Sequence, residues 1–529
     1  MLQELLIVLL VILVNLFYFA ILRHSYWIRK NVRQSLPVPF LEDNLRKSFG
    51  MESYLDMIKR LYNQFPEERY SGYYQVGCPI LVIRDPELIR MVTIDDFDHF
   101  SEHRHLLPEG LDPLWSRNLF ALKGNEWIKM RTILVHAFSS DKMRAMFWFV
   151  NNCAIQLRDY IAKETQEGPI VREVQGIFTR YTNEAIASCA FGVTNKDVIE
   201  TGIDLYKVGM AITDVSDLWK SIKLYLVNYM PSITKYLNVR MFRKESAADF
   251  SAVIANNLKM REDLNIERPD MINILLEARK GNLKFKTQEH DSDFATAQVS
   301  DITKDVETTT EISDVDITAQ ALIFFTASIE TVSTALIFMS YELAMNPDVQ
   351  KRLQDEIDQM SLNSRGKLIY KSLSKMKYMD MVIWETLRKW PSYVAVDRSC
   401  VKPYTIQPTR PNETAVHLDL GDVLLLPIIG IHRDPEYFPE PDKFDPERFN
   451  DENIDNIKLF TYNPFGYGPR NCIGSSFALM EIKTVFFHLL SKFDIEIVEQ
   501  TKVPVEICKK KYNLAAKNGI HLGFKRRQF

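Results

Sequence analysis

Along the chain the apolar positions pass through distinct regimes. From Leu5 to Leu22 they run almost unbroken, interrupted by Asn15 and the hydroxyl of Tyr18, a length that suits a helix crossing a bilayer core. Strand signals come next: Tyr73 to Gly77 and Ile80 to Ile83 flank Gly77-Cys78-Pro79, a hairpin pattern, and Asp85-Pro86-Glu87 then opens a short helix. Gly124 to Arg131 reads as a helix start, and between Met143 and Lys280 the spacing becomes three and four, the period of helices with one buried face. It is clearest in Ala154 to Ile161, Phe178 to Phe191 and Met271 to Ala278. The longest helical pattern runs from about Ser313 to Met345, with cap candidates in Ser-Asp-Val-Asp-Ile-Thr and a stop at Asn346-Pro347. At the usual helical rise it spans roughly 50 Å, enough to cross a whole domain. A further helix is expected from about Ser475 to Lys492, and strands at Val423 to Leu426, Ile495 to Val498, Val503 to Ile507 and Ile520 to Phe524.

The expected fold is therefore mainly α with a smaller β region and a single N-terminal transmembrane helix. We divide the chain into a membrane anchor (1–24), a basic and proline-containing hinge (25–40) and one catalytic domain (41–529). Arg23, Arg29, Lys30 and Arg33 follow the apolar run and Glu4 precedes it, which leaves the C-terminal part in the cytosol. A cleaved signal peptide would carry its basic residues before the run and an A-x-A-like site after it. Pro37-x-Pro39 stiffens the exit from the membrane. The stretch Leu218 to Met230 is rich in aromatic and aliphatic bulk, suited to roofing a cavity, dipping into the bilayer or filling core. Gln288 to Asp316 holds nine acidic residues against the single Lys304 and reads as a solvated loop.

Composition narrows the function classes. With 65 basic and 69 acidic residues the net charge is −4, which gives no reason to expect nucleic acid. Six cysteines without paired spacing read as reduced thiols. No internal repeat or Gly/Ser linker divides the 529 residues.

The chemistry converges on Phe465-Gly-Tyr-Gly468-Pro-Arg470-Asn-Cys472-Ile-Gly474. Cys472 sits where a loop feeds a helix N-terminus, and free N–H groups there favour an anionic sulfur, a ligand for a soft metal. Gly468 and Gly474 let the backbone turn and lie close to a flat partner. Phe465 offers packing and Arg470 a charge for a carboxylate. A planar, apolar, iron-containing, doubly carboxylated group, haem, meets these demands. Gly466-x-Gly468 also begins like a dinucleotide fingerprint, but the last position is Asn471.

The spacing F-x-x-G-x-R-x-C-x-G is matched at every defined position and resembles the haem-binding loop of the cytochrome P-450 family, the haem-thiolate monooxygenases. The resemblance implies Cys472 as iron ligand of haem b. It extends to four further motifs in the family order. Trp127 and Arg131, four apart on one helical face, match W-x-x-x-R, which donates to haem propionates; locally they would serve equally as a packing pair. His103 is a weaker candidate for the same task. Ala327-Ser-Ile-Glu330-Thr331-Val332 is similar to the oxygen-activation motif, with Ser328 in place of the usual glycine and Val332 in place of a hydroxyl residue. Thr331 and Glu330 are thereby implied in proton delivery; the alternatives are a hydroxyl bonded back to the Ala327 carbonyl and a solvated charge. Glu385 and Arg388 match E-x-x-R, and Arg448 of Pro446-Glu447-Arg448-Phe449 is expected to join them in a buried network. Arg398 resembles the propionate-binding arginine on a following strand.

The resemblance is to microsomal animal members, arthropod ones in particular. It implies an endoplasmic reticulum enzyme that oxidises small lipophilic xenobiotics or endogenous lipids with O2. Electrons derive from NADPH through a membrane-bound flavoprotein reductase, with cytochrome b5 as a further donor, because this chain has no flavin or nicotinamide motif. Lys129 is a candidate docking charge, and the turn near Leu514 and Ala515 a candidate substrate contact. A dedicated hormone or lipid oxidase and a non-oxidative haem-thiolate isomerase are the alternatives.

Overall fold

The computed structural model describes residues 10, 25–34, 50–75, 78–104, 107, 110–193, 204–213, 240–281, 312–364 and 366–528. Leu10 apart, the apolar run before residue 25 lies outside the described residues, as do Pro37-x-Pro39, Leu218 to Met230 and the acidic stretch from 288 up to residue 311. Helix α1 (Tyr54–Asn63) leads into strands β1 (Tyr70–Gln75) and β2 (Cys78–Ile83). Then come α2 (Gly124–Val135), α3 (Ser140–Glu164), β3 (Ile170–Glu173), α4 (Val174–Ile186) and α5 (Lys244–Leu264). The second half holds α6 (Asp314–Met345), α7 (Pro347–Asn363), α8 (Lys377–Lys389), β4 (Val396–Ser399), β5 (Tyr404–Ile406), β6 (Val416–Leu418), β7 (Val423–Leu426), α9 (Ser475–Leu490), β8 (Phe493–Ile497) and β9 (His521–Arg526).

Helix α6 is the axis on which the others are laid. Its start is set by a capping box: the Asp316 N–H donates to the Ser313 hydroxyl, and the Ser313 N–H donates to the Asp316 carboxylate at 2.9 Å. Its end falls at Asn346, because Pro347 cannot continue the ladder and instead opens α7. From Ile317 onward most of its side chains are buried, and it packs on α4, α8 and α9. Long and apolar enough to span a membrane, it is an interior helix of a globular domain instead. Most of the hydroxyls it carries are satisfied along the helix: Ser340, for example, donates to the Leu336 carbonyl at 2.8 Å.

The expected hairpin forms, with β1 and β2 antiparallel from Tyr70↔Ile83 to Gln75↔Cys78. Strand β7 adds to β2 in parallel and β4 to β7 antiparallel, opposing Arg398 to Leu424. The sheet thus delivers β4, and Arg398 with it, to the helical core. At the C-terminus β9 pairs with both β8 and β3. Val503 to Ile507 does not form the expected strand, since Pro504 has no N–H to give a ladder; only Ile507 bridges, to Ala516.

Residues 25–34, the start of the stretch read as hinge, are clamped to the sheet. Trp27 is fully buried over Gly72, where a Cβ would come within 2.5 Å of the indole, so glycine is required there. The Gly72 N–H donates to the Arg33 carbonyl at 2.7 Å. The Tyr26 hydroxyl donates to Asp422 at 2.7 Å, and Lys30 meets Asp419 at 2.7 Å in the β6–β7 turn. Trp27→Ala is expected to cost about 3 kcal/mol, read as a lower unfolding midpoint and as new protease cleavage within 25–34 while the remaining domain stays resistant.

Candidate cofactor site around Cys472

The loop before α9 is closed by its own backbone. The Cys472 N–H donates to the Phe465 carbonyl at 2.8 Å, the Asn471 N–H to the Gly468 carbonyl at 3.0 Å and the Gly466 N–H to the Asn463 carbonyl at 3.1 Å. Gly468 has φ +71°, and a Cβ there would collide with the Thr93 carbonyl oxygen. Gly474, expected to need the same freedom, is an ordinary helix cap with φ −96°. Phe465 is partly buried against the core.

Cys472 keeps accessible surface, yet the surrounding protein desolvates it. Together these place its sulfur on the wall of an interior cavity. Burial pushes the thiol up, opposed by the Gly474 N–H and the Arg131 charge. The loop and helix end alone therefore do not offset the burial of the thiol; a metal cation held there would supply the missing field, since coordination deprotonates a thiol. Tyr393, with 46% of its surface accessible, is likewise enclosed, and it faces both Cys472 and Glu330.

Buried positive charge surrounds this cavity. Trp127 and Arg131 sit on α2 as expected, both buried. Arg131 donates to the Asn471 side chain at 2.6 Å, and the Arg470 guanidinium lies 3.9 Å over the Trp127 ring. Burial pushes Arg131, Arg398 and Arg470 down from the ordinary arginine value, and for Arg131 and Arg470 the neighbouring guanidinium groups add to it. The nearby carboxylate of Asp397 is already engaged by His103 at 3.0 Å and by the Arg104 N–H at 3.0 Å. Arg398 Nε is buried without a hydrogen-bond partner. Such a cluster calls for an anion. Arg470 is less free than expected: it donates to the carbonyls of Ser101, Leu119, Phe120 and Leu122, so most of its N–H groups are spent on holding the 101–122 segment. A cysteine sulfur with accessible surface, together with buried Arg131 and an Arg398 whose Nε has no partner although its Nη1 donates to the Asp397 carbonyl at 2.7 Å, fits haem with its two carboxylates.

Helix α6 supplies another part of the site. Burial raises the Glu330 carboxyl to about 7, against opposing help from an Asn513 hydrogen bond and the Lys511 charge. The Thr331 hydroxyl donates to the Ala327 carbonyl at 2.8 Å, while the Ser392 hydroxyl donates to the Thr331 carbonyl at 2.9 Å. Ser328 Oγ is buried with no hydrogen-bond partner. Sequence reasoning missed Tyr393, Ser392, Asn471 and Asn513, for no local pattern marks them.

Beneath the loop lies the Glu385–Arg388 pair, both side chains fully buried and joined at 2.7 and 2.8 Å. Arg388 also donates to the carbonyls of His432 and Pro441 at 2.8 Å, and Arg448 approaches Glu385 at 3.5 Å as expected. The Tyr462 hydroxyl donates to the Trp384 carbonyl at 2.9 Å, and the Asn463 N–H to the His432 ring at 2.9 Å. These bonds carry the support from α8 to the Cys472 loop.

Glu385→Gln leaves the Arg388 charge buried and unpaired, and should destabilise by about 3–5 kcal/mol, seen as a lower denaturant midpoint and loss of cofactor loading. For Glu330 the folded carboxyl binds its proton more readily than the unfolded one. Its contribution to stability is therefore present below the ordinary pKa of 4.5 and is lost as pH rises toward 7. Thermal unfolding across that range should show a flatter pH dependence in Glu330→Gln.

A family model described as Cytochrome P450 matches residues 46–522. Cytochrome P450 9e2 of Blattella germanica is 39% identical over 519 residues, 95% of this chain and 94% of the relative. Probable cytochrome P450 9f2 of Drosophila melanogaster is 35% identical, covering 96% of each chain. Cytochrome P450 6k1 of Blattella germanica is 32% identical, covering 98% of this chain and 96% of the relative. Motifs, mainly helical fold and near full-length similarity agree: the chain belongs to the cytochrome P450 family of haem-thiolate monooxygenases.

Proposed function

We propose that the protein is a membrane-anchored monooxygenase that inserts one oxygen atom from O2 into small lipophilic organic molecules, with Cys472 as the residue whose sulfur would hold the iron of haem b. The observation that carries this reading is a shared cavity region: a cysteine sulfur, an excess of buried guanidinium groups and a helix presenting an acid beside an alcohol. When bound, haem supplies reductive activation of O2, and a thiolate ligand favours O–O cleavage.

The chain's own residues perform the rest. Arg131, Arg398, the Trp127 indole and the remaining capacity of Arg470 and His103 hold the two carboxylates, and Phe465 packs behind the loop. Glu330, with a carboxyl near 7, exists in both protonation states at neutral pH, so it takes up and releases protons without a large penalty. Thr331, its O–H committed to Ala327, retains oxygen lone pairs that accept a hydrogen bond from water. Tyr393 and the Leu514–Ala515 turn stand where a substrate would meet the wall.

Residues 1–24 anchor the protein in the endoplasmic reticulum with the catalytic domain in the cytosol. The clamped 25–34 strap supports a fixed exit from that anchor. Electrons come from a membrane-bound NADPH flavoprotein reductase, with cytochrome b5 as a second donor, and the partly exposed Lys129 contributes to docking, which salt should weaken.

The reduced carbon monoxide complex should show the red-shifted Soret band of thiolate ligation, and Cys472→Ala should lose it; a band typical of a nitrogen ligand in the wild type would sink the reading. With reductase and a panel of lipophilic substrates, Thr331→Ala should continue to consume NADPH. Its product per NADPH should fall at least about tenfold, hydrogen peroxide making up the difference.

A further inference from the structure

The segment that follows α8 is fastened to α6 along one stripe. The Trp390 indole N–H donates to the Glu342 carboxylate at 2.7 Å, and the same ring stacks on Phe338 with centroids 4.5 Å apart. Two residues on, the Ser392 hydroxyl donates to the Thr331 carbonyl at 2.9 Å. Phe338 and Glu342 lie seven and eleven residues beyond Thr331, about two and three whole turns, so the three anchor points share one face of the helix. The segment therefore runs antiparallel to α6 as it leaves α8. Pro391, between the two ties, is buried, and its ring fixes the backbone there. Beyond Ser392 the Val394 carbonyl accepts from the Ile429 N–H at 3.0 Å, and Tyr393, held between these ties, keeps 46% of its surface accessible.

The tie made by Ser392 ends on the residue that carries the α6 alcohol. A helix carbonyl already accepts from the N–H four residues on, and the Thr331 hydroxyl donates to the Ala327 carbonyl at 2.8 Å. Ser392 therefore rescues no orphaned group; it is a second donor, brought from another element, to a carbonyl with a lone pair to spare. What it adds is position, because α6 cannot slide or rotate at Thr331 against the segment that carries Tyr393 without breaking this bond. We propose that Ser392 is a positioning residue for Thr331, fixing the α6 alcohol against the segment that presents Tyr393. This rests on the reading of Thr331 given above.

The test uses the full-length, haem-loaded protein in phospholipid vesicles with NADPH and flavoprotein reductase, and n-alkylbenzenes as the lipophilic probe. Wild type is compared with S392A, with T331A, and with S392T and S392V, which match in volume and differ in the hydroxyl. Amide hydrogen exchange of peptides covering 327–336 reports the hold on α6 without turnover. It should be about fivefold faster in S392A and S392V, the factor set by one hydrogen bond, and should keep the wild-type rate in S392T. Hydrogen peroxide formed per NADPH consumed should rise in S392A and S392V toward the T331A value, stay at the wild-type value in S392T, and rise no further when S392A is added to T331A. Equal exchange in S392A and wild type would overturn the proposal, as would a wild-type peroxide ratio in S392A while T331A is uncoupled. If S392A fails to load haem, S392V and S392T are compared with each other; faster exchange in S392V supports the proposal and equal exchange overturns it. Faster exchange in S392A together with a wild-type peroxide ratio in T331A would remove the proton-delivery reading of Thr331 and leave the hold of Ser392 on α6 standing.

Discussion

A carboxylate and a guanidinium buried without access to water, Glu385 and Arg388, are the constraint from which the site hangs. Neither ion survives burial alone, because the desolvation penalty of each is met only by the other and by further hydrogen bonds. Arg388 spends its remaining donors on the carbonyls of an irregular segment, and His432 in that segment bonds the backbone of Asn463. Asn463 in turn caps the first turn of the loop that carries Cys472. A loop with little regular structure is thus held as firmly as a helix.

The positive charge around the cavity follows the opposite logic. Arg131, Arg398 and Arg470 are drawn from a helix, a strand and a loop, and their neighbouring carboxylates are too few or already engaged. Protein cores avoid that arrangement unless a negative ligand completes it. The guanidinium of Arg470 shows how one residue serves two ends: it stacks on Trp127 and gathers the 101–122 segment through four carbonyls. That segment is also tied to α6, where Gln320 accepts from the Leu119 N–H at 2.8 Å. The arginine-rich region around Cys472 and helix α6 are therefore built on shared contacts.

Helix α6 carries both the core and the buried acid Glu330. Its apolar bulk makes it the packing axis, and a few polar residues set into that bulk are costly enough to require specific partners. Most hydroxyls solve this within the helix by bonding four residues back. Glu330 has no such local solution, and its burial raises the carboxyl to about 7.

The sequence by itself determined the periodic and punctuated features. The extent of α6 was legible from Ser313 and Pro347, the hairpin from its two strand runs, and the Cys472 loop from a run of residue types whose spacing is contiguous. Local chemistry controls these, so local pattern reveals them. What only the tertiary structure decided is everything that depends on contacts between distant residues. That includes the clamp of Trp27 over Gly72, the spending of Arg470 on backbone carbonyls, the net upward push on the Cys472 thiol, and the burial that raises the Glu330 carboxyl. Burial, dielectric surroundings and cross-chain hydrogen bonds have no period along a sequence; they exist only once α6, the terminal hairpin and the sheet have packed together.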